Sequence, residues 1–131
     1  MVQNKESGAR ANRFGRETSR KIMKVLGTKP ISMNTNECYL HRRIVAIKCA
    51  RKKTNAIGVP YKMLKRLAGI IGAFETQSEV YELYEIDPAL FQKNMRPTRS
   101  KGPSAGRVGL ARKSLFMDKG ENLGQVKLTK R

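Results

Sequence analysis

Residues 36–50 read N-E-C-Y-L-H-R-R-I-V-A-I-K-C-A, and this stretch decides the fold. Ile44 to Ala50 is apolar except for Lys48, the pattern of a strand covered on both faces. Ile31 to Leu40 holds β-formers around a polar centre and predicts a partner strand. His41, Arg42 and Arg43 lie between the two, a spacing that suits a hairpin loop. Two residues in this pair need an account. Glu37 sits inside the first strand, and Lys48 places three donors and a charge inside an apolar one. A nearby carboxylate or phosphate is expected for Lys48.

Upstream, Phe14, Thr18, Ile22, Val25 and Leu26 recur at helical spacing from Asn12, and Gly27 supplies a stop. The first dozen residues are polar and read as a loose arm. Glu17 falls beside Phe14 and Val25 on the helical wheel, so it is expected to point towards the sheet. Downstream, Arg51 to Pro60 is basic and turn-forming. Tyr61 to Ile71 carries Met63, Leu64, Leu67, Ala68 and Ile71 on one stripe, with Lys62, Lys65 and Arg66 opposite, which predicts a second helix. Ala73 to Thr76 and Val80 to Ile86 predict a second hairpin, and Asp87 with Pro88 opens a brief helix through Phe91 or Met95.

Beyond residue 95 the composition shifts to R-P-T-R-S-K-G-P-S-A-G-R-V-G-L-A-R-K-S. The expected organisation is a small α/β core over residues 1–95 and a basic tail over 96–131. The order is helix, strands, helix, strands.

Charge points to the partner. The chain has 131 residues, 28 Lys plus Arg against 10 Asp plus Glu, and a net charge of +18. Self-repulsion on that scale is costly unless a polyanion neutralises it, and a pI near 10.5 fits a nucleic-acid-binding domain. The acids cluster late, at Glu75, Glu79, Glu82, Glu85 and Asp87, so this hairpin is expected to face away from the polyanion. No apolar stretch approaches the roughly 20 residues that span a bilayer, and no membrane partner is expected. The N-terminal ten residues have no apolar stretch of signal-peptide type, and Cys38 and Cys49 suit free thiols. A cytoplasmic or nucleoid-associated location, without secretion, is the expectation.

The helix with R-F-G-R-E-T, the strand with N-E-C-Y, the strand V-A-I-K-C-A and the helix that follows resemble the PD-(D/E)xK nuclease superfamily, which includes many restriction endonucleases and archaeal Holliday-junction resolvases. The resemblance spans roughly residues 10–86. It implies a restriction-endonuclease-like fold, DNA as the favoured partner over RNA, and Mg²⁺-dependent hydrolysis of phosphodiester bonds. Carried over by position, Glu17, Glu37 and Lys48 would be catalytic, with Glu17 and Glu37 binding Mg²⁺ and Lys48 positioning the attacking water. One position departs from the pattern. Ala46 stands where the family's second acid belongs, on the same strand face as Lys48. A weakened or lost catalytic site on a retained binding scaffold is therefore also open.

Phosphate contacts are expected from Arg13, Arg16, Arg42, Arg43, Arg51, Lys52, Lys53 and Lys62, with Tyr61 as a stacking residue. In the tail they are expected from Arg96, Arg99, Lys101, Arg107, Arg112 and Lys113, where small residues let the backbone approach phosphates closely. Cys38, His41 and Cys49 offer three ligands where a structural zinc site needs four, so reduced thiols are the simpler reading. A nuclease cutting both strands commonly works as a dimer, which leaves a homodimer open, although no dimer seam is identifiable. The rival reading is a structural RNA-binding protein such as a ribosomal component, which small size and a Gly-Arg tail suit equally well.

Overall fold

A largely apolar strand needs cover on both faces, and Ile44 to Ala50 has it, with Gly69–Gln77 along one edge and Glu37–Leu40 along the first part of the other. In the computed structural model, which describes residues 5–32, 35–97 and 107–128 with side chains from residue 14 onward, the chain is mixed α/β. It runs α1 (Lys5–Val25), β1 (Glu37–Leu40), β2 (Arg43–Ala50), β3 (Ala56–Pro60), α2 (Tyr61–Leu64), β4 (Gly69–Gln77), β5 (Val80–Ile86), α3 (Pro88–Asn94), β6 (Arg96–Pro97), β7 (Val108–Arg112), α4 (Lys113–Lys119) and β8 (Glu121–Lys127).

Two sheets form. The larger has the order β1-β2-β4-β5-β8, with β2 and β4 parallel and every other pair antiparallel. The smaller, β3-β7-β6, is antiparallel throughout. Strand alternation sends Val45, Ile47, Ile71, Tyr81 and Leu83 to one face of the large sheet, where Ile22 and Met23 of α1 cover them. Ala46, Ala50, Ile70 and Phe74 face the other way, beneath Ile57 and Val59 of β3, Phe91 of α3 and Phe116 of α4. Phe116 packs edge-on against Phe74 at 5.4 Å and Phe91 at 6.1 Å between ring centres. Gly72 makes room for them. A Cβ there would lie 2.8 Å from Phe74 and 3.0 Å from Phe116.

The β1–β2 hairpin turns through His41 and Arg42, both with positive φ, at 53° and 67°. Two consecutive left-handed residues are what a two-residue loop needs to match strand twist. Asp87 caps α3, its Oδ1 accepting from the Ala89 amide at 2.7 Å, with Pro88 at the first helical position.

Four expectations change. The helix expected from Asn12 extends back to Lys5, so part of the presumed arm is helical, and Val25 is 54 % exposed rather than on the inner stripe. The helix expected over Tyr61 to Ile71 stops at Leu64, and Gly69–Gln77 is a strand instead. The apolar run G-I-I-G-A-F fits either period, and pairing with β2 and β5 on both edges decides it. The turn-forming stretch contains β3. The break at residue 96 is not a core boundary. Residues 107–128 supply β7, α4 and β8, burying Ala111, Phe116 and Val126. Among the described residues, no helix is long and apolar enough to cross a membrane.

Candidate nucleic-acid interface

Glu37 opens β1 and is the register partner of Ala46 on β2. Paired residues share a face, and Lys48 lies two positions beyond Ala46, so all three point to the same side. Glu37 is only 5 % exposed and Ala46 is fully buried. The cation that meets Glu37 is Arg66, which follows α2. Its Nε donates to Oε2 at 2.7 Å and its Nη2 to Oε1 at 2.9 Å, a two-point fork. The Thr35 hydroxyl donates to Oε1 at 2.8 Å, and the Glu37 amide donates back to that hydroxyl at 3.1 Å. The Arg66 fork holds the Glu37 carboxyl below the usual carboxylate range, although burial works against it. Arg66 had looked like one cation of a helix's polar face. The signal that finds it is the buried acid itself, which demands a fork-shaped partner within reach.

Lys48 is half-buried, and desolvation pushes its ammonium pKa below 10.5 while the charge of Glu37 works in the opposite direction. Among the described residues it makes no hydrogen bond. It lines a cavity of about 200 Å³ with Gly15 and Arg16 of α1, Asn36 and the start of β3. This pocket sits where β2 runs on past its pairing with β1, which ends at Ala46.

Glu17 does not join them. It is exposed on α1, whose inner residues cover the opposite face of the large sheet. Its neighbours Thr18 and Ser19 take the buried positions, and the Ser19 hydroxyl lies 3.1 Å from Asn36 Oδ1. Among the described residues no three His, Cys, Asp or Glu side chains gather where a metal ion could be held. Mg²⁺ needs several oxygen ligands. Here Arg66 forks onto both Glu37 oxygens, Ala46 offers no ligand, and Glu17 is exposed and does not line the Lys48 pocket, so these residues do not fit the ion. Zinc fares no better. Cys38 is buried on the α1 side, His41 is exposed in the turn, and burial pushes the Cys49 thiol up to about 12.

The expected phosphate contacts divide into groups. Arg43 is tied into the sheet, with Nη2 2.9 Å from Glu85 Oε2. Arg51 stacks over the Phe14 ring at 4.0 Å. Tyr61 is half-buried against the core, which leaves little of its ring for a base. Arg16, Arg42, Lys52, Lys62 and Arg107 are exposed. Lys53, Arg96, Arg112 and Lys113 converge on one cavity. Arg99 and Lys101 lie outside the described residues, as does the side chain of Arg13. The late acids are partly engaged with the basic side: Glu85 with Arg43, and Glu75 accepting from the Lys52 amide at 3.0 Å.

The chain matches no protein-family model and no curated protein.

Proposed function

We propose that this protein binds DNA on a restriction-endonuclease-like scaffold whose cutting centre has been lost. The observation that carries the reading is the pairing of Glu37 with a buried Ala46 on one side and the Arg66 fork on the other. A nuclease of the resembled kind needs two carboxylates beside its lysine to hold its cation. Here Ala46 stands in the place of one, and an arginine already neutralises the other, Glu37.

What remains suits binding. A helix, the hairpin with Glu37 and Lys48, and a return through β3 and α2 to a strand parallel to β2 support the scaffold part of the reading. Lys48 and Arg16 share a pocket with no acid in its lining, so a phosphate oxygen there would meet two cations. Exposed Arg42, Lys52 and Lys62 add charge around it. Each phosphate neutralised releases counterions, which supplies affinity without base-specific contacts.

The test is fluorescence anisotropy of the full chain with labelled duplex DNA and duplex RNA at several salt concentrations. The reading predicts DNA binding at least as tight as RNA binding, with affinity falling steeply as salt rises. Preference for RNA by tenfold or more would instead support the structural RNA-binding reading.

A further inference from the structure

The groove between the small sheet and α4 carries an observation of its own. Two cavities, of about 780 and 390 Å³, share Arg96, Leu110, Arg112 and Ser114 and so lie side by side. Each falls within the roughly 300–1,000 Å³ of ligand-sized sites. Lys53, Arg96 and Arg112 stand around the larger, Lys113 lines it with its ammonium 5.6 Å from the centre of the Phe74 ring, and among the described residues no acid lines it. Asp118 lines only the smaller, beside Lys119. Among the described residues neither Arg96 nor Arg112 has an ion-pair partner. Three cations brought around one hollow repel one another, and an anion is what relieves that repulsion.

The floor distinguishes this groove from a plain phosphate ridge. Leu110 lines it, while Ala111 turns its side chain into the core, and Met117 stands at its side with half its surface exposed. Duplex phosphates would neutralise the rim and leave Met117 in water. An unpaired nucleotide does both, placing its phosphate on the rim and its base on the apolar floor, where a polarisable thioether adapts to any base. We propose that this groove binds an unpaired DNA strand, with phosphates on Arg96 and Arg112 and a base against Met117 and Leu110. The proposal rests on the DNA-binding reading and adds to it a substrate class: DNA with a single-stranded segment. The Lys48 pocket, formed by α1, β2 and β3, is a separate surface.

The experiment compares a labelled oligothymidylate of about twelve nucleotides with a blunt duplex. Wild type, Arg96→Ala/Arg112→Ala and Met117→Ser are each checked for folding by circular dichroism. Single-strand affinity should fall about tenfold or more in the double variant, with the salt slope reduced by about 1.4 for two lost phosphate contacts. Met117→Ser should weaken the single strand several-fold. Duplex affinity should fall by a clearly smaller factor than single-strand affinity in the double variant and stay within about twofold in Met117→Ser. Parallel losses for duplex and single strand, or no effect of Met117→Ser, would overturn the proposal. Met117 is exposed, so that variant remains decisive should the double variant unfold. Duplex binding by wild type with no single-strand binding would overturn this inference and leave the DNA-binding reading intact. Groove-dependent single-strand binding without duplex binding would do the reverse for a duplex partner. Binding of neither would overturn both.

Discussion

Arg66 reaches Glu37 across the end of the β1–β2 hairpin and grips both carboxylate oxygens, at 2.7 and 2.9 Å. The pair is unequal in burial: the Glu37 side chain is 7 % exposed and that of Arg66 54 %. The acid is therefore the member that cannot do without its partner. An isolated buried carboxylate is costly, whereas a half-exposed guanidinium is easily hydrated. Arg66→Met should accordingly destabilise the fold more than Glu37→Gln/Arg66→Met. Chemical denaturation of the single and double variants checks this, and equal losses would contradict it.

Acid should weaken the protein partly through the same pair. The Glu37 pKa lies below its ordinary 4.5, chiefly because of the Arg66 hydrogen bonds. A carboxylate with a lowered folded-state pKa contributes stability that is complete above its unfolded value and is lost as pH falls through the folded one. Wild type should lose stability as pH drops below 4.5, and Glu37→Gln should be less stable at neutral pH but show a shallower decline. Urea denaturation across pH reads both slopes, and identical slopes would refute the assignment.

Lys48 carries the opposite sign. Its pKa is lowered from 10.5 by burial, so its charge opposes folding at neutral pH. That cost is relieved as pH rises through the folded value towards 10.5. Lys48→Met should be more stable than wild type at neutral pH and lose this alkaline gain. Its DNA affinity should fall, with the salt slope smaller by about 1. Thermal denaturation and anisotropy measure the two effects, and unchanged affinity would remove Lys48 from the interface.

Arg42 holds φ at 67° in the hairpin turn, where a side chain costs roughly 1–2 kcal/mol that glycine avoids. Arg42→Gly should stabilise the protein by about 1 kcal/mol while weakening DNA binding, since it removes an exposed cation. A variant that gains stability with full affinity would mean that the strained arginine serves no contact.

Phe116 tests whether the C-terminal third belongs to the core. It is fully buried between Phe74 and Phe91. Phe116→Ala should cost about 3–5 kcal/mol, the range for a large aromatic removed from a packed core. A loss below about 1 kcal/mol would return residues after 107 to the status of a tail.

The hairpin that organises the large sheet was legible because its pattern is local. An apolar run broken by one lysine, preceded by three polar turn residues, leaves few alternatives. Asp87 and Pro88 likewise announced α3. Residues 69–71 were expected in a helix because the run G-I-I-G-A-F satisfies two periods, and only the flanking strands choose between them. The C-terminal strands were missed for a related reason. Val108 to Arg112 is short and rich in small residues, and it becomes a strand only when β3 and β6 pair with it. At the site, Glu37 and Lys48 were found because charged residues stand out in apolar strands. Arg66 was not, because nothing local marks which of several lysines and arginines will reach a strand 29 residues away. That Glu17 is exposed while Thr18 and Ser19 are buried depends on how α1 is turned against the sheet, a tertiary fact.

Whether the Glu37–Ala46–Arg66 arrangement abolishes cutting is tested most directly on supercoiled plasmid. Wild type and Lys48→Ala would be incubated with Mg²⁺, Mn²⁺ or EDTA at protein concentrations that saturate binding. The account predicts a shifted plasmid that remains supercoiled with either metal. Metal-dependent nicking by wild type that disappears in Lys48→Ala would contradict it.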